Sequence, residues 1–256
     1  MQPTPGDKFR KLITTTEAKG SIAIGAIATL ATAAMGIWWF PSTLPEIASA
    51  EMEQGIETIR NLTVIASPVV GVVLGITGYA LLNAHRGDTP PPDDAPAIRT
   101  NSSVVLTWTV VTSLFCTLAI VWGLAEMGSG ETKAIAYGKQ ALVVEVTGSQ
   151  WVWTYRYPEQ GFETHELVLP VGQPVLFKVT SADVNHSFWP VQLGVKVDAN
   201  KGVTTTAFAI PQQVGGLDIH CAELCGLYHA YMANEGKVVM PSEFMTWAEE
   251  QGAVAA

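Results

Sequence analysis

Cys221, Cys225, His229 and Met232 fall within twelve residues of one another, in the run His220-Cys-Ala-Glu-Leu-Cys-Gly-Leu-Tyr-His-Ala-Tyr-Met232. Thiolate, imidazole and thioether are the donors that soft, copper-like metals prefer. A mononuclear blue copper site uses one Cys, two His and a weak axial Met. Here a second Cys is present, and a thiolate sulfur can bridge. Two bridging thiolates would hold two copper ions close together, each completed by one imidazole and one weaker donor. That cluster needs a second histidine from elsewhere in the chain. A structural zinc bound by two Cys and two His is the competing metal reading, but zinc has no use for the thioether. Packed cysteines without metal are the third reading.

The second histidine is expected to be His186, in Asp183-Val184-Asn185-His186-Ser187-Phe188, 35 residues before Cys221. It follows a strand-like stretch at 174–180, and a β-sandwich can bring two such loops together at one end. His165 sits in a polar Glu163–Glu166 hairpin and reads as solvent-facing. In a strand, His220 would point opposite to Cys221 and so stays outside the ligand set. The same alternation puts Trp151, Trp153, Tyr155 and Tyr157 on one face. Core packing is the plain reading for Trp153 and Tyr155. Trp151, at the strand's beginning, is open to two readings: packing, or an indole near the metal that relays electrons and docks a partner.

The first half of the chain must anchor this site. Of the 256 residues 48% are hydrophobic and only 14% charged, against roughly 25% charged in soluble domains. Three apolar runs, at about 21–40, 61–83 and 103–125, each have about the twenty residues a bilayer core requires. Trp38 and Trp39 end the first run as an interfacial belt would. A cleaved signal peptide is the rival reading of that run, with Ala31-Thr32-Ala33 as the small-residue site. Pro68, Gly71, Gly75 and Gly78 interrupt the second run, which is tolerable where neighbouring helices pack closely. Cys116 lies in the third run as a packed or lipid-facing residue. Between the runs lie an acidic linker at 41–59 and a proline-rich segment at 84–102 that carries His85 as a solvated residue. Lys8, Arg10, Lys11 and Lys19 precede the first run, Arg60 alone lies in the first loop, and Arg86 and Arg99 lie in the second. The positive-inside rule then places residues 1–20 as a cytoplasmic tail and everything from about 127 outside.

From about 139 period-two stretches replace the long apolar runs, at 141–147, 150–157, 163–169, 174–180, 203–210, 217–221 and 236–240. They are rich in Val, Thr and aromatics and are separated by Gly, Pro and Asn, which predicts a small sandwich or Greek-key barrel. A short helix is expected from Ser242 to Gln251, capped by Ser242. The chain is therefore read as an α+β membrane protein, with three transmembrane helices within 21–126 and an all-β, Greek-key-type domain over 127–256. Its net charge of −9 argues against a nucleic-acid partner. Thirteen acidic and seven basic side chains lie in 127–256; an acidic face suits a basic protein partner, and equally serves plain solubility.

These residues together resemble subunit two of the haem–copper cytochrome c oxidases. The likeness rests on Cys-Ala-Glu-Leu-Cys-Gly with His229 and Met232, on Asp183-Val184-x-His186-Ser187-Phe188, on Leu193-Gly194-Val195-Lys196-Val197-Asp198, and on Gln150-Trp151-x-Trp153. It covers about 60–240, a transmembrane hairpin plus a cupredoxin domain. The resemblance implies a binuclear copper centre, CuA, with Cys221 and Cys225 bridging both ions. His186 and Met232 would complete one ion, and His229 and the backbone carbonyl of Glu223 the other. The Glu223 side chain would ligate a magnesium ion shared with the catalytic subunit, and Trp151 would match the tryptophan through which electrons arrive. The implied partners are haem-bearing subunit one, cytochrome c or a fused cytochrome domain as donor, and the lipid of the plasma (inner) membrane. The cupredoxin domain would face the periplasmic or extracellular side. Three positions depart from the family pattern: Val152 between the tryptophans, His220 before the first Cys, and Val105 where relatives carry a proton-uptake glutamate. Rival readings are a copper-free quinol oxidase subunit, which would lack the Cys and His ligands, the copper subunit of a nitric oxide reductase, and a copper carrier or assembly factor.

Overall fold

A computed structural model describes residues 16–82, 101–137 and 140–252. Lys8, Arg10 and Lys11 of the expected tail, and His85, Arg86 and Arg99 of the proline-rich segment, lie outside the described residues. The chain divides into two compact units. One holds the N-terminal helix and most of the second; the other holds residues 46–53 and everything from the third helix onward.

Helix α1 spans Thr16–Ala34 and continues through a π-helical turn, Met35–Trp39, and a last turn, Phe40–Thr43. Helix α2 spans Ala50–Leu82 and α3 spans Ser102–Tyr137. Ala18–Thr43, Ala50–Leu82 and Ser102–Ala125 are each long and apolar enough to cross a membrane, and Cys116 is exposed on α3. Two boundaries differ from expectation. Helix α2 starts inside the supposed 41–59 linker because Ser49 caps it: the Ser49 hydroxyl accepts the Met52 amide at 3.0 Å. Glu51 and Glu53 then sit in the first turn, at the positive end of the helix dipole. Helix α3 runs past residue 125 to Tyr137.

Helices α1 and α2 meet along a seam of small residues. A Cβ on Gly71 would lie 1.9 Å from Thr29 Oγ1 and 2.6 Å from the Gly25 carbonyl, and one on Gly75 would lie 2.5 Å from the Ser21 carbonyl. Gly36 abuts Thr63 further along the seam. In lipid, helices associate by such close packing rather than by hydrophobic burial. Gly71→Leu is therefore expected to separate the pair. Spin labels at the exposed positions Trp38 and Leu62 should give one narrow distance distribution in the parent background and a longer or broader one in the variant.

The β domain contains two five-stranded sheets. Its strands are β1 Leu142–Ser149, β2 Val152–Tyr157, β3 Phe162–Thr164, β4 Leu167–Pro170, β5 Val175–Ser181, β6 His186–Pro190, β7 Val197–Ala199, β8 Thr205–Ala209, β9 Gly215–Cys221 and β10 Ala233–Val239. The sheet orders are β3-β2-β1-β5-β8 and β4-β10-β9-β6-β7. The pairs β1/β5 and β4/β10 are parallel and the other pairs antiparallel. Strands β1 and β5 alternate buried and half-buried residues, as one-sided packing requires. The expected strand 163–169 divides into β3 and β4. Strands β6 and β7 were not foreseen, because His186, Ser187 and Phe188 are all buried and give no alternation, and β7 has only three residues. Helix α4, Pro241–Glu250, is capped by Met240 rather than Ser242. Pro241 opens its first turn, and the Met240 amide donates to the Glu243 carboxylate at 3.2 Å.

Residues 48–52 are woven into this domain. The Ala48 amide donates to Gln192 O (3.0 Å), the Gln212 amide to Ala48 O (2.7 Å) and the Ser49 hydroxyl to Leu193 O (2.6 Å). The Ile210 amide donates to the Glu51 carboxylate at 3.0 Å. Gly194 turns the chain with φ of 64°, and a Cβ there would lie 2.6 Å from Met52 Cα. Both the conformation and the approach demand glycine at that point of the Leu193-Gly194-Val195 motif.

Aromatic rings fill the space between the sheets. Tyr155 and Tyr157 are fully buried. The Tyr155 hydroxyl donates to Asn234 Oδ1, and that of Tyr157 donates to Val168 O and accepts the Val168 amide. Burial pushes both phenols well above their ordinary value of about 10. Unfolding would release those protons, so stability is intact below about pH 10 and falls as pH rises beyond it, by up to about 1.4 kcal/mol per pH unit for each tyrosine. Alkaline denaturation followed by circular dichroism should begin above about pH 10 and be shallower in Tyr155→Phe.

Candidate metal centre

Antiparallel pairing of β9 with β10 brings Cys221 and Met232 together at the mouth of a loop, and the Cys221 amide donates to Met232 O at 3.0 Å. Inside the loop, Gly226 takes φ of 121° and His229–Tyr231 make one 3-10 turn. Strand β6 lies beside β9, with Phe188 opposite Cys221. Its first residue is His186, so this histidine is held by a strand rather than by the loop expected from sequence. The Ala222 amide donates to Ser187 O at 2.9 Å and ties the two segments.

Five side chains converge. Cys221 Sγ and Cys225 Sγ are 3.7 Å apart. His186 Nδ1 lies 3.8 Å from Cys221 Sγ and 3.1 Å from Met232 Sδ, which is itself 3.7 Å from Cys225 Sγ. His229 Nδ1 lies 3.5 Å from Cys225 Sγ. Each imidazole therefore faces a different sulfur of the pair. The Glu223 carbonyl accepts from Cys221 Sγ at 3.2 Å, while the rest of Glu223 is exposed. His186, Cys221, Cys225 and Met232 are buried, and His229 is half-buried. The ligand atoms of His186, Cys221 and Cys225 all lie within 4.8 Å of one another. His220, by contrast, points out of the sheet and is exposed, as is His165, whose Nδ1 lies 3.0 Å from Trp153 O.

Asp183 decides what His186 offers. Its carboxylate accepts hydrogen bonds from His186 Nε2 at 2.8 Å, from the Gln150 amide at 2.7 Å and from the Val184 amide at 2.6 Å. Partial burial would raise this carboxyl, but the bond from His186 and the two amides outweigh it and hold the group at about 2. An ionised carboxylate only accepts, so Nε2 is the nitrogen that donates to it, and Nδ1 is the nitrogen left to meet a metal. Nδ1 faces two sulfurs, the Met232 thioether at 3.1 Å and the Cys221 thiol at 3.8 Å, and a soft cation would satisfy all three atoms. The donor set thus fits copper. Burial, reinforced by Cys221, pushes the Cys225 thiol up to about 12, so without metal it stays protonated, and metal binding must displace that proton.

Trp151 is half-buried over this loop. Its ring meets Tyr228 edge-on at 4.7 Å, and its indole nitrogen would lie 3.5 Å from a Cβ on Gly226. Trp153 is buried and packs against His186 at 5.9 Å, and a Cβ on Gly148 would touch both rings. Asp183 and Gln150 lie within sequence motifs, but their partners come together only in the fold. Asp183 stands three residues before His186, which was the one available sign of its function.

The family described as cytochrome c oxidase subunit II, periplasmic domain, matches residues 162–239, which include His186 and the whole loop from Cys221 to Met232. The chain belongs to the cytochrome c oxidase subunit II family. Cytochrome c oxidase subunit 2 of Thermostichus vulcanus is 40% identical over 130 residues, 51% of this chain and 39% of that protein. Quinol oxidase subunit 2 of Bacillus subtilis is 31% identical over 192 residues, 71% of this chain and 58% of that protein. These matches span between two-fifths and three-fifths of the relatives' own lengths. The solved periplasmic domain of cytochrome oxidase subunit II of Bradyrhizobium japonicum is 34% identical, with 43% of this chain and 93% of that domain covered and a TM-score of 0.42. As a subunit II chain, this protein carries a membrane-anchored, periplasmic-type β domain.

Proposed function

We propose that this chain accepts electrons from cytochrome c, or from a fused cytochrome domain, at a CuA centre and delivers them to haem in catalytic subunit one. Oxygen reduction and proton pumping belong to that complex, and the isolated chain catalyses nothing. Cys221 and Cys225 would bridge two copper ions, with His186 and Met232 completing one, and His229 and the Glu223 carbonyl the other. The exposed Glu223 carboxylate would hold magnesium at the contact with subunit one. The observation that carries this reading is His186 Nδ1 turned toward the sulfurs of Cys221 and Met232 while its Nε2 meets the Asp183 carboxylate.

When bound, the copper pair would supply one-electron chemistry with the positive hole shared between two ions, so oxidation changes each bond little. The chain's own residues provide the rest. Asp183 keeps the proton at His186 Nε2 and fixes the ring. Burial of Cys221, Cys225 and Met232 excludes water. Trp151 offers an indole against the Cys loop through which electrons would arrive. Leu224, Leu227 and Tyr231 project from the loop and are about four-fifths exposed, at 76%, 82% and 80%, which supports a protein partner lying over it. The domain would face the periplasm across the plasma (inner) membrane. The division into a tail at 1–20, a membrane region at 21–126 and an outer domain at 127–256 is part of the same proposal. Val105 leaves no carboxylate for proton uptake at that point of α3.

The quinol oxidase relative makes a copper-free electron-transfer subunit the second reading. Retention of both cysteines, both histidines and the methionine in one cluster favours copper. The test is Trp151→Phe in the assembled complex. Turnover with reduced cytochrome c should fall by roughly a hundredfold, as for a misplaced reacting group, with copper content and spectrum unchanged. Full turnover in the variant would remove Trp151 from the route.

A further inference from the structure

Trp151 has little of its own to hold it in place. Strands β1 and β2 pair up to Ser149 and Val152, so Gln150 and Trp151 are the two residues at the tip of their hairpin. The structure ties that tip down through Gln150 at both ends. Its backbone amide donates to Asp183 Oδ2 at 2.7 Å, and its side-chain Nε2 donates to the Cys225 carbonyl at 2.8 Å. The other Asp183 oxygen meets His186 Nε2 at 2.8 Å. One glutamine therefore binds the residue that orients His186 and the residue that offers a bridging sulfur, and it carries the indole as its chain neighbour.

We infer that Gln150 is a positioning residue, which clamps the hairpin tip to both metal-bearing segments and so fixes the Trp151 indole against the Cys loop. The chemistry of the contact selects glutamine. The Cys225 carbonyl requires a donor, which a glutamate of the same shape lacks: its carboxylate would face the carbonyl lone pairs. Asparagine is one methylene short. Room for the amide comes from Gly226, where a Cβ would stand 2.7 Å from Gln150 Nε2. The clamp also accounts for an otherwise unexplained feature: among the described residues Trp151 Nε1 is buried without a hydrogen-bond partner, so packing and its neighbour, not a bond of its own, keep the ring in place.

The consequence for electron arrival rests on the CuA reading; the clamp itself does not. Both are testable on the full chain in detergent, labelled with 5-fluorotryptophan, with the Trp151 resonance assigned by Trp151→Phe. Gln150→Glu, and Gln150→Met as a neutral variant of similar volume, are compared with the parent. In both variants the Trp151 fluorine signal should shift toward the solvent-exposed position and broaden, while the other tryptophan signals stay in place. In the copper-loaded complex, turnover with reduced cytochrome c should fall severalfold through kcat, with copper content unchanged. A Trp151 signal unmoved in the variants would overturn the clamp. A displaced signal with full turnover would leave the clamp standing and count against Trp151 as the point where electrons arrive.

Discussion

Cys225→Ser is expected to abolish the near-infrared absorption of a two-copper centre and to lower bound copper below two ions per chain. Cys225 Sγ lies at the centre of three contacts, 3.7 Å from Cys221 Sγ, 3.5 Å from His229 Nδ1 and 3.7 Å from Met232 Sδ. A serine hydroxyl is a hard donor that stays protonated near neutral pH and bridges soft ions poorly. The remaining donors fit at most one ion. The fold should survive, because a small side chain replaces a small one and the new hydroxyl costs about 1–3 kcal/mol at most if left unpaired. Far-ultraviolet circular dichroism should match the parent while the near-infrared band disappears. Survival of the band in a folded variant would remove Cys225 from the ligand set.

Phe188→Ala is expected to be the most damaging single change to the β domain outside the ligands. Phe188 is fully buried where four aromatic residues meet, with ring centroids 5.4 Å from Trp153, 5.4 Å from Phe177 and 6.2 Å from Tyr155. It pairs with Cys221 on one side and Val197 on the other. Removing a buried phenyl ring costs about 3–5 kcal/mol in lost transfer energy and cavity formation. Much of a small domain's stability of roughly 5–15 kcal/mol would go with it. The hole would open two residues from His186 and beside Trp153, which packs on that histidine, so the metal end should loosen as well. Urea denaturation followed by near-ultraviolet circular dichroism checks the first effect, and weaker copper retention the second. A loss below about 1 kcal/mol would mean that the surrounding rings close the space.

The sequence made some of this molecule legible and hid the rest for physical reasons. Three long apolar runs followed by period-two stretches were readable as anchors and a β domain, because lipid thickness and strand pleating each impose their own spacing. Strand alternation sufficed to turn His220 outward and bury Trp153 and Tyr155. Strand β6 was invisible, since a segment buried on both faces has no period. The start of α2 was missed because it depends on Ser49, a cap that also bonds to Leu193 O, 144 residues away. Asp183 and Gln150 stood within recognisable motifs, yet their roles come from partners that only the folded chain brings near. Gln150 meets a carbonyl 75 residues on, and nothing local announces that contact.

The central claim is that the paired sulfurs of Cys221 and Cys225 hold two coppers, and metal content tests it most directly. The chain, purified from membranes with its partner subunits and fully loaded, should contain two copper ions per polypeptide in this site by elemental analysis. Zinc in their place, or one copper per chain, would contradict the account.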